Sequence, residues 1–450
     1  MRRYIAADFG AGSGRVIVGT VVGGKVELEE MHRFPNRQVY LGGTLYWDFL
    51  ALFEELKTGL KKAFAKYDGI VSIGVDTWGV DFGLLDSRGR LLSNPVCYRD
   101  KRTNGILGKV FEAIPESELY RLTGNQFMEI NTAFQLYSMV RKDDPLLKAA
   151  DKLLFTPDLF NYFLTGVAVN EYTISTTSQL YRHATGGWAE EVLSKLGIPR
   201  HLMQEIVPSG TVVGGLLPEI AAETGGKGVQ VVAVGSHDTA SALASIQAEE
   251  ENWAFISSGT WSLMGIETER PILTPEAMAC DFTNEGTVNG KIRFLRNITG
   301  LWLLQNVARE LESKGEKCRY AEMIAEAEQS GLQSVVDVDA PCFNKPESMC
   351  EAIVDYCIQR GMQPPRTKGE FMRCIVLSLA TKYGEVKRML EKCSGRKIDT
   401  VYIVGGGSQN SLLNKMTEEL TGVRVVTGAV EATAIGNILC QQSVMGKGCF

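Results

Sequence analysis

The sequence predicts an α/β protein of two domains, and three observations carry that prediction. The chain has 450 residues, too many for one ordinary hydrophobic core. Apolar, β-branched runs alternate with helical patterns along most of its length. One arrangement occurs twice, from Tyr4 and again from Asn252: a strand, a turn of glycine and hydroxyl residues, a second strand, then helices and further strands. Sequence identity between the halves is slight, so the repetition is architectural.

Taken in order, YIAADFG, RVIVGTVV and KVELEEMHRF read as a three-strand meander, with Gly23-Gly24 supplying its second turn. Asp48 caps a helix whose apolar residues recur at helical spacing through Tyr67. SIGVDT and FGLLD are strands flanking Trp78-Gly79-Val80-Asp81. Residues 105–205 are mainly helical, with turns at Thr123-Gly124 and Thr165-Gly166. VAVGSHDTASALAS (232–245) starts as a buried strand and passes through Ser236-His237-Asp238-Thr239 into a helix. AFISSGTWSLMGIE supplies two strands of the second half, and helical patterns follow at 300–330 and 370–393. The strand VYIVGGG, another helix and the short strand VRVVTG come after them. The join falls between the helix after Asp238 and the acidic stretch Ala248–Asn252, giving domains at 1–246 and 247–450.

Composition narrows the function classes. With 44% hydrophobic and 22% charged residues the chain is globular, and its net charge of −6 comes without any basic run. Nucleic acid is therefore not an expected partner. Asp8 and the glycines interrupt the first apolar stretch far below signal-peptide length, and no segment approaches the roughly 20 apolar residues that span a bilayer. The ten cysteines, Cys97 to Cys449, include no C-x-x-C pair and no zinc spacing. They read as reduced thiols of a cytoplasmic protein, with a Cys350–Cys374 pairing left open.

The turns carry the chemistry. Asp8-Phe9-Gly10-Ala11-Gly12-Ser13-Gly14-Arg15 is no dinucleotide fingerprint, because a strand and not a helix follows it. No G-x-x-x-x-G-K-[ST] occurs either. A glycine-rich hairpin tip lets successive N–H groups converge on an anion, with Ser13 and Arg15 as further donors. Alone, it is more simply a plain tight turn, and the same holds for Ser257-Ser258-Gly259-Thr260. Two such tips at corresponding places in two halves suit opposite sides of one polyphosphate. Val404–Asn410 (VGGGSQN) joins a strand to a helix with three glycines where a sharp turn needs one. Gly428–Asn437 (GAVEATAIGN) opens a helix with small residues, suited to pack against the same ligand.

Together these strings resemble the FGGY family of carbohydrate kinases, within the actin-like ATPase superfamily. The resemblance runs in order over nearly the whole chain, through DTWGVDF (76–82), YRDKRT (98–103), EYTISTTSQL (171–180), SHDTAS (236–241), SSGTWSLMG (257–265), NITGLWLLQ (297–305) and VGGGSQN (404–410). DTWGVDF and SSGTWSLMG are similar to the branch acting on L-rhamnulose. Members of the family usually continue somewhat beyond the position of Cys449-Phe450.

The resemblance implies two RNase H-like domains with mixed sheets and an interdomain active-site cleft. The first would bind sugar and carry the catalytic aspartate; the second would bind mainly nucleotide. It implies ATP-dependent, Mg²⁺-dependent conversion of L-rhamnulose to L-rhamnulose 1-phosphate in the cytoplasm, with the sugar and ATP as the partners. Asp238 becomes the general base, with Gly79, His237, Thr239 and Asn297 also contacting sugar. Ala11, Gly12, Ser13, Gly14, Arg15, Thr260, Gln305 and Gly406 would hold ATP. Asp8 would face Mg²⁺ through water, with Asp76 and Asp81 as further acidic candidates.

The residues alone leave other readings open. Asp238 serves equally as an N-cap, and His237 as a structural residue. Trp78 and Phe82 suit core as well as a sugar-site wall, Asn297 a helix cap, Gln305 an exposed helix. A helix N-terminus would keep Asp238 ionised at a low pKa. The rival functions are a kinase for L-fuculose or D-xylulose, or a non-catalytic actin-like nucleotide- or sugar-binding protein.

Overall fold

A computed structural model describes residues 2–344 and 346–446 of the chain; Cys449 and Phe450 lie outside the described residues. They form two compact units. The first combines the chain up to Ser245 with Thr268–Arg293 and the stretch from Ala432 onward; the second holds Ile246–Glu267 and Phe294–Glu431.

The first unit is built on a six-stranded mixed sheet, in the order Thr211–Gly215, Gln230–Ala233, Ile70–Thr77, Arg3–Phe9, Ser13–Val22, Lys25–Pro35. The last three strands form the expected antiparallel meander. Ile70–Thr77 runs parallel to Arg3–Phe9, and Gln230–Ala233 parallel to Ile70–Thr77. These parallel strands are buried almost throughout, which explains why they read as unbroken apolar runs. The helix Phe49–Lys66 covers one face with Leu52, Leu56, Leu60 and Ala63, one residue per turn. Asp48 caps it, accepting from the Ala51 N–H at 3.2 Å. Phe160 and Leu164 of the helix Thr156–Thr165 join the same core. On the other face, Ala434 and Ile438 of the helix Ala432–Met445 pack on Tyr4, Ala6 and Ile17.

The helical stretch after residue 105 has its own core, centred on Leu119, Phe134, Leu153, Ile174 and Leu193. Its helices Glu116–Thr123 and Thr156–Thr165 end on Gly124 (φ 70°) and Gly166 (φ 78°), both left-handed as their turn signals require. FGLL pairs with Lys152–Phe155 in a separate two-stranded sheet.

In the second unit, Trp253–Ser258 and Trp261–Thr268 form an antiparallel hairpin. Thr400–Val404 lies parallel to Trp253–Ser258, and Arg424–Thr427 parallel to Thr400–Val404. The hairpin followed by parallel strands repeats the order of the first unit, as the sequence repetition predicts. The helix Lys368–Ser394 buries Phe371, Ile375, Leu379, Tyr383, Val386 and Leu390 along one stripe. The strand Ile292–Thr299 (IRFLRNIT) escapes sequence detection because Arg293, fully buried, breaks its apolar pattern. The thiols of Cys357 and Cys374 meet each other, so Cys374 does not pair with Cys350.

The helix carrying Asp238 (Asp238–Ala244) packs against Ala432–Met445 at Gly436, where a Cβ would stand 1.7 Å from the Ser241 carbonyl oxygen. The small residues of GAVEATAIGN thus admit another helix rather than a ligand at this point. Gly436→Ala should force the helices apart and cost about 1–3 kcal/mol, read as a lower urea midpoint. An unchanged midpoint would show that the contact is slack.

Candidate active site

Asp8 and Asp76 stand side by side, in register on adjacent parallel strands. The next strand over ends near Ser236, whose carbonyl accepts from the Thr77 N–H at 2.9 Å, and a parallel bridge joins Thr77 to His237. Asp238 follows at once, so three neighbouring strands each deliver a carboxylate to the same end of the sheet. The three repel one another: burial and then Asp8 push Asp238 up to about 6, and the same two causes hold Asp76 well above the carboxylate range. The expected low pKa of Asp238 is therefore overturned. Lost hydration and a like charge outweigh the dipole of a seven-residue helix.

Asp238 is also no N-cap. His237 occupies the cap position and Asp238 is the first helical residue. Its Oδ1 accepts from the Thr239 hydroxyl at 3.1 Å. The side chain keeps 33% exposure, enough to meet a ligand.

The structure also ranks the two further acids. Asp81 is saturated: Oδ2 accepts from Trp47 Nε1 at 2.6 Å, Trp78 Nε1 at 3.0 Å and the Tyr98 N–H at 3.1 Å, and Oδ1 from Gln135 Nε2 at 3.1 Å. It pins Trp47 and Trp78, whose rings meet at a tilt of 41° with centroids 4.2 Å apart, so Trp78 is core. Phe82 is core as well, buried among the helices that follow. Asp76, by contrast, accepts from Asn437 Nδ2 at 2.5 Å through one oxygen, while its buried Oδ1 has no partner. An orphaned carboxylate oxygen beside Asp8 fits a nearby divalent cation. Among the described residues no cluster of three acids, histidines or cysteines ligates an ion by itself. Mg²⁺ needs none, since it keeps several waters and takes one or two carboxylates plus phosphate oxygens.

Gly79 borders His237 directly, because a Cβ there would lie 3.2 Å from Nε2. Val80 next to it adopts φ 67°, a left-handed conformation costing a β-branched residue about 1–3 kcal/mol. The Thr132 hydroxyl at 2.7 Å and Gln135 Nε2 at 3.3 Å hold its carbonyl there. The Ser236 N–H donates to Glu171 Oε2 at 3.3 Å and the His237 N–H to Thr173 Oγ1 at 3.2 Å. Gly79, His237, Asp238 and Thr239 are thereby brought together in the first unit. Asn297 belongs to the second unit, on the strand Ile292–Thr299.

At the first hairpin tip, Asn36 clasps the loop from behind, donating through Nδ2 to the Gly10 carbonyl at 2.9 Å and through its N–H to Gly12 O at 3.1 Å. Gly12 is exposed with nothing within 4 Å of a Cβ, so the chain faces open space at that position. Gly14 is glycine for another reason: a Cβ would meet the Phe34 ring at 2.3 Å. Arg15 pairs with Asp8 across the hairpin.

In the second unit the two small-residue turns meet. Gly405 (φ 84°) and Gly407 press against Ser258, where Cβ atoms would stand 2.9 Å from its carbonyl and 2.0 Å from its hydroxyl oxygen. Gly406 between them is open, with nothing within 4 Å. The Thr260 hydroxyl donates to Gln305 Oε1 at 3.3 Å, and the Leu301 N–H to Gly259 O at 2.9 Å. Thr260, Gln305 and Gly406 thus line one region. Sequence reasoning assigned no role to Glu171, Thr173, Asn36, Glu285 or Arg293. The run EYTIS signals the first two by placing an acid among hydroxyls; nothing in the sequence signals the others.

Residues 3–245 match the N-terminal domain of the FGGY family of carbohydrate kinases, and residues 254–444 its C-terminal domain. A rhamnulokinase of Bacteroides thetaiotaomicron is 43% identical, over 99% of this chain and 91% of that relative. One of Oceanobacillus iheyensis is 40% identical, over 98% and 93%. A ligand-bound xylulose kinase of Lactobacillus acidophilus superposes with a TM-score of 0.82 at 15% identity, covering 100% of this chain and 91% of that one. A Plasmodium falciparum glycerol kinase with ADP gives 0.80, also at 15%, covering 100% and 91%. These likenesses establish the two-domain kinase fold. No helix among the described residues is long and apolar enough to cross a membrane.

Because Asp76 is held above its ordinary pKa, the folded state binds its proton more tightly than the unfolded chain does. Its contribution to stability is then lost as pH rises above the usual carboxylate range. Asp76→Asn keeps an oxygen for Asn437 and removes the charge. The variant should resist urea better than the parent at pH 8 without metal, with the margin shrinking toward pH 5; a margin independent of pH would contradict the repulsion.

Proposed function

The chain belongs to the FGGY family of carbohydrate kinases, and from that premise we propose that it uses ATP to phosphorylate L-rhamnulose, giving L-rhamnulose 1-phosphate. The observation that carries the substrate is the identity of 37–43%, over nearly the full chain, to proteins named rhamnulokinase. The chemistry is carried by Asp238, a partly exposed carboxylate beside Gly79, His237 and Thr239.

An acceptor hydroxyl must lose its proton as its oxygen bonds to the γ-phosphorus and the bond to ADP breaks. Asp238 takes that proton. Raised to about 6, it is more basic than an ordinary carboxylate and still ionised at pH 7, the compromise a general base needs. A loose transition state demands the proton late, so moderate basicity suffices. The Gly79 backbone, His237, Thr239 and Asn297 orient the sugar. Ala11, Gly12, Ser13, Gly14 and Arg15 meet the phosphates, and Thr260, Gln305 and Gly406 hold the rest of ATP. Mg²⁺, faced by Asp8 and Asp76 through water, would neutralise phosphate charge when bound.

The same reading takes 1–246 as the sugar-binding domain with the base and 247–450 as the mainly nucleotide-binding domain. It takes the protein as cytoplasmic, with small molecules as its partners. The free thiols of the described cysteines support that compartment.

Asp238→Asn should lower kcat by about 10²–10⁴-fold with the sugar KM little changed, measured as ADP release. A folded variant with parental turnover would exclude the base role. The acid limb of kcat/KM should have its midpoint near 6, the value at which Asp238 loses its charge, and not near 4. Across a ketose panel L-rhamnulose should lead; L-fuculose or D-xylulose ahead of it would reassign the sugar.

A further inference from the structure

His237 sits between a donor and an acceptor. On one side Arg293 Nη2 contacts its Nδ1. On the other, Nε2 lies 3.5 Å from Asp238 Oδ1 and faces the Gly79 backbone. Arg293 comes from the Thr268–Arg293 insertion of the first unit and is fully buried. Glu285, from the same insertion, forms an ion pair with Arg293, its Oε2 lying 2.7 Å from Nη2. Its Oε2 lies 3.6 Å from His237 Nδ1, outside hydrogen-bond range.

We propose that Arg293 is a positioning residue that locks His237 in its Nε2–H tautomer, making it a fixed hydrogen-bond donor beside Asp238. Guanidinium has donors and no acceptor, so the nitrogen it touches must offer a lone pair. An Nδ1–H tautomer would set N–H against N–H on one side and a lone pair against a carboxylate on the other. An imidazolium would add charge repulsion from Arg293 in a buried site. Burial and Arg293 both drive the ring toward its neutral form, which agrees with this geometry. The charged neighbours are Arg293 and Glu285 on the insertion and Asp238 on the helix; Arg293 in turn feels Glu171 and Tyr172.

The consequence, which rests on the proposed kinase reading, is a division of labour. With Nε2 already protonated and Nδ1 blocked, His237 accepts no proton from the sugar, and Asp238 is left as the sole base of the pair. The fixed Nε2–H is then free to select an acceptor oxygen on the sugar next to Gly79.

The test is nitrogen-15 NMR of the full-length, ligand-free protein with labelled histidine between pH 5.5 and 8. The chain has four histidines, and His237→Gln identifies the signals. Expected are a protonated Nε2, an unprotonated Nδ1 and no titration across the range. An Nδ1–H form, or a midpoint between pH 6 and 7, overturns the proposal without any activity assay. In Arg293→Met paired with Glu285→Gln, which avoids orphaning the acid, His237 should titrate within the range. The sugar KM should then rise at least tenfold with the ATP KM within about twofold. Glu285→Gln alone should keep the parental tautomer, and unchanged His237 signals in the double variant would also overturn the proposal. Retained turnover in Asp238→Asn would remove the base reading while leaving these signals as they are, so the two failures are distinguishable.

Discussion

Three carboxylates crowded at one end of a parallel sheet are the constraint around which the first unit is organised. Asp8 and Asp76 face each other because their strands pair in register, and Asp238 joins them because the chain beyond the next strand, which ends at Ala233, stays bridged to Thr77 at His237 before the helix starts at Asp238. Such crowding is costly in a dry setting, and each neighbour answers part of it. Arg15 pairs with Asp8 across the hairpin, Asn437 donates to Asp76, and Thr239 donates to Asp238. One oxygen of Asp76 stays unanswered. The site thus keeps negative charge to spare, which favours a divalent cation and disfavours a bare anion.

Most other polar groups in this unit serve placement. Asp81 spends both oxygens on two indoles, a backbone N–H and Gln135, and so fixes the strained turn at Gly79-Val80. Glu171 and Thr173 grip the backbone that presents His237 and Asp238. The helix behind Asp238 is seated by Gly436, whose missing side chain leaves room for the Ser241 carbonyl. Two aspartates five positions apart, 76 and 81, therefore do opposite work: one is left partly unsatisfied at the site and the other is saturated in the core.

Glycine plays more than one part in the turns. Gly12 and Gly406 border open space, whereas Gly14, Gly405 and Gly407 yield space to Phe34 and Ser258. Counting glycines in a loop does not separate these uses. Only the atoms opposite each missing Cβ do.

Patterns that depend on local chemistry were legible in the sequence alone. The meander, the Asp48-capped helix, the left-handed glycines at 124 and 166 and the repeated hairpin-and-strand order follow from periodicity, capping and turn residues, which act over a few positions. The string Ser236-His237-Asp238-Thr239 announced itself the same way, as polar residues at a strand-to-helix junction. What tertiary structure alone decided concerns groups distant in sequence. It set the pKa of Asp238 by bringing Asp8 and burial to bear, ranked Asp76 above Asp81, and carried Arg293 back to His237 across 56 positions. Charge and desolvation act through space, so no local reading of those residues contains their strength or their sign.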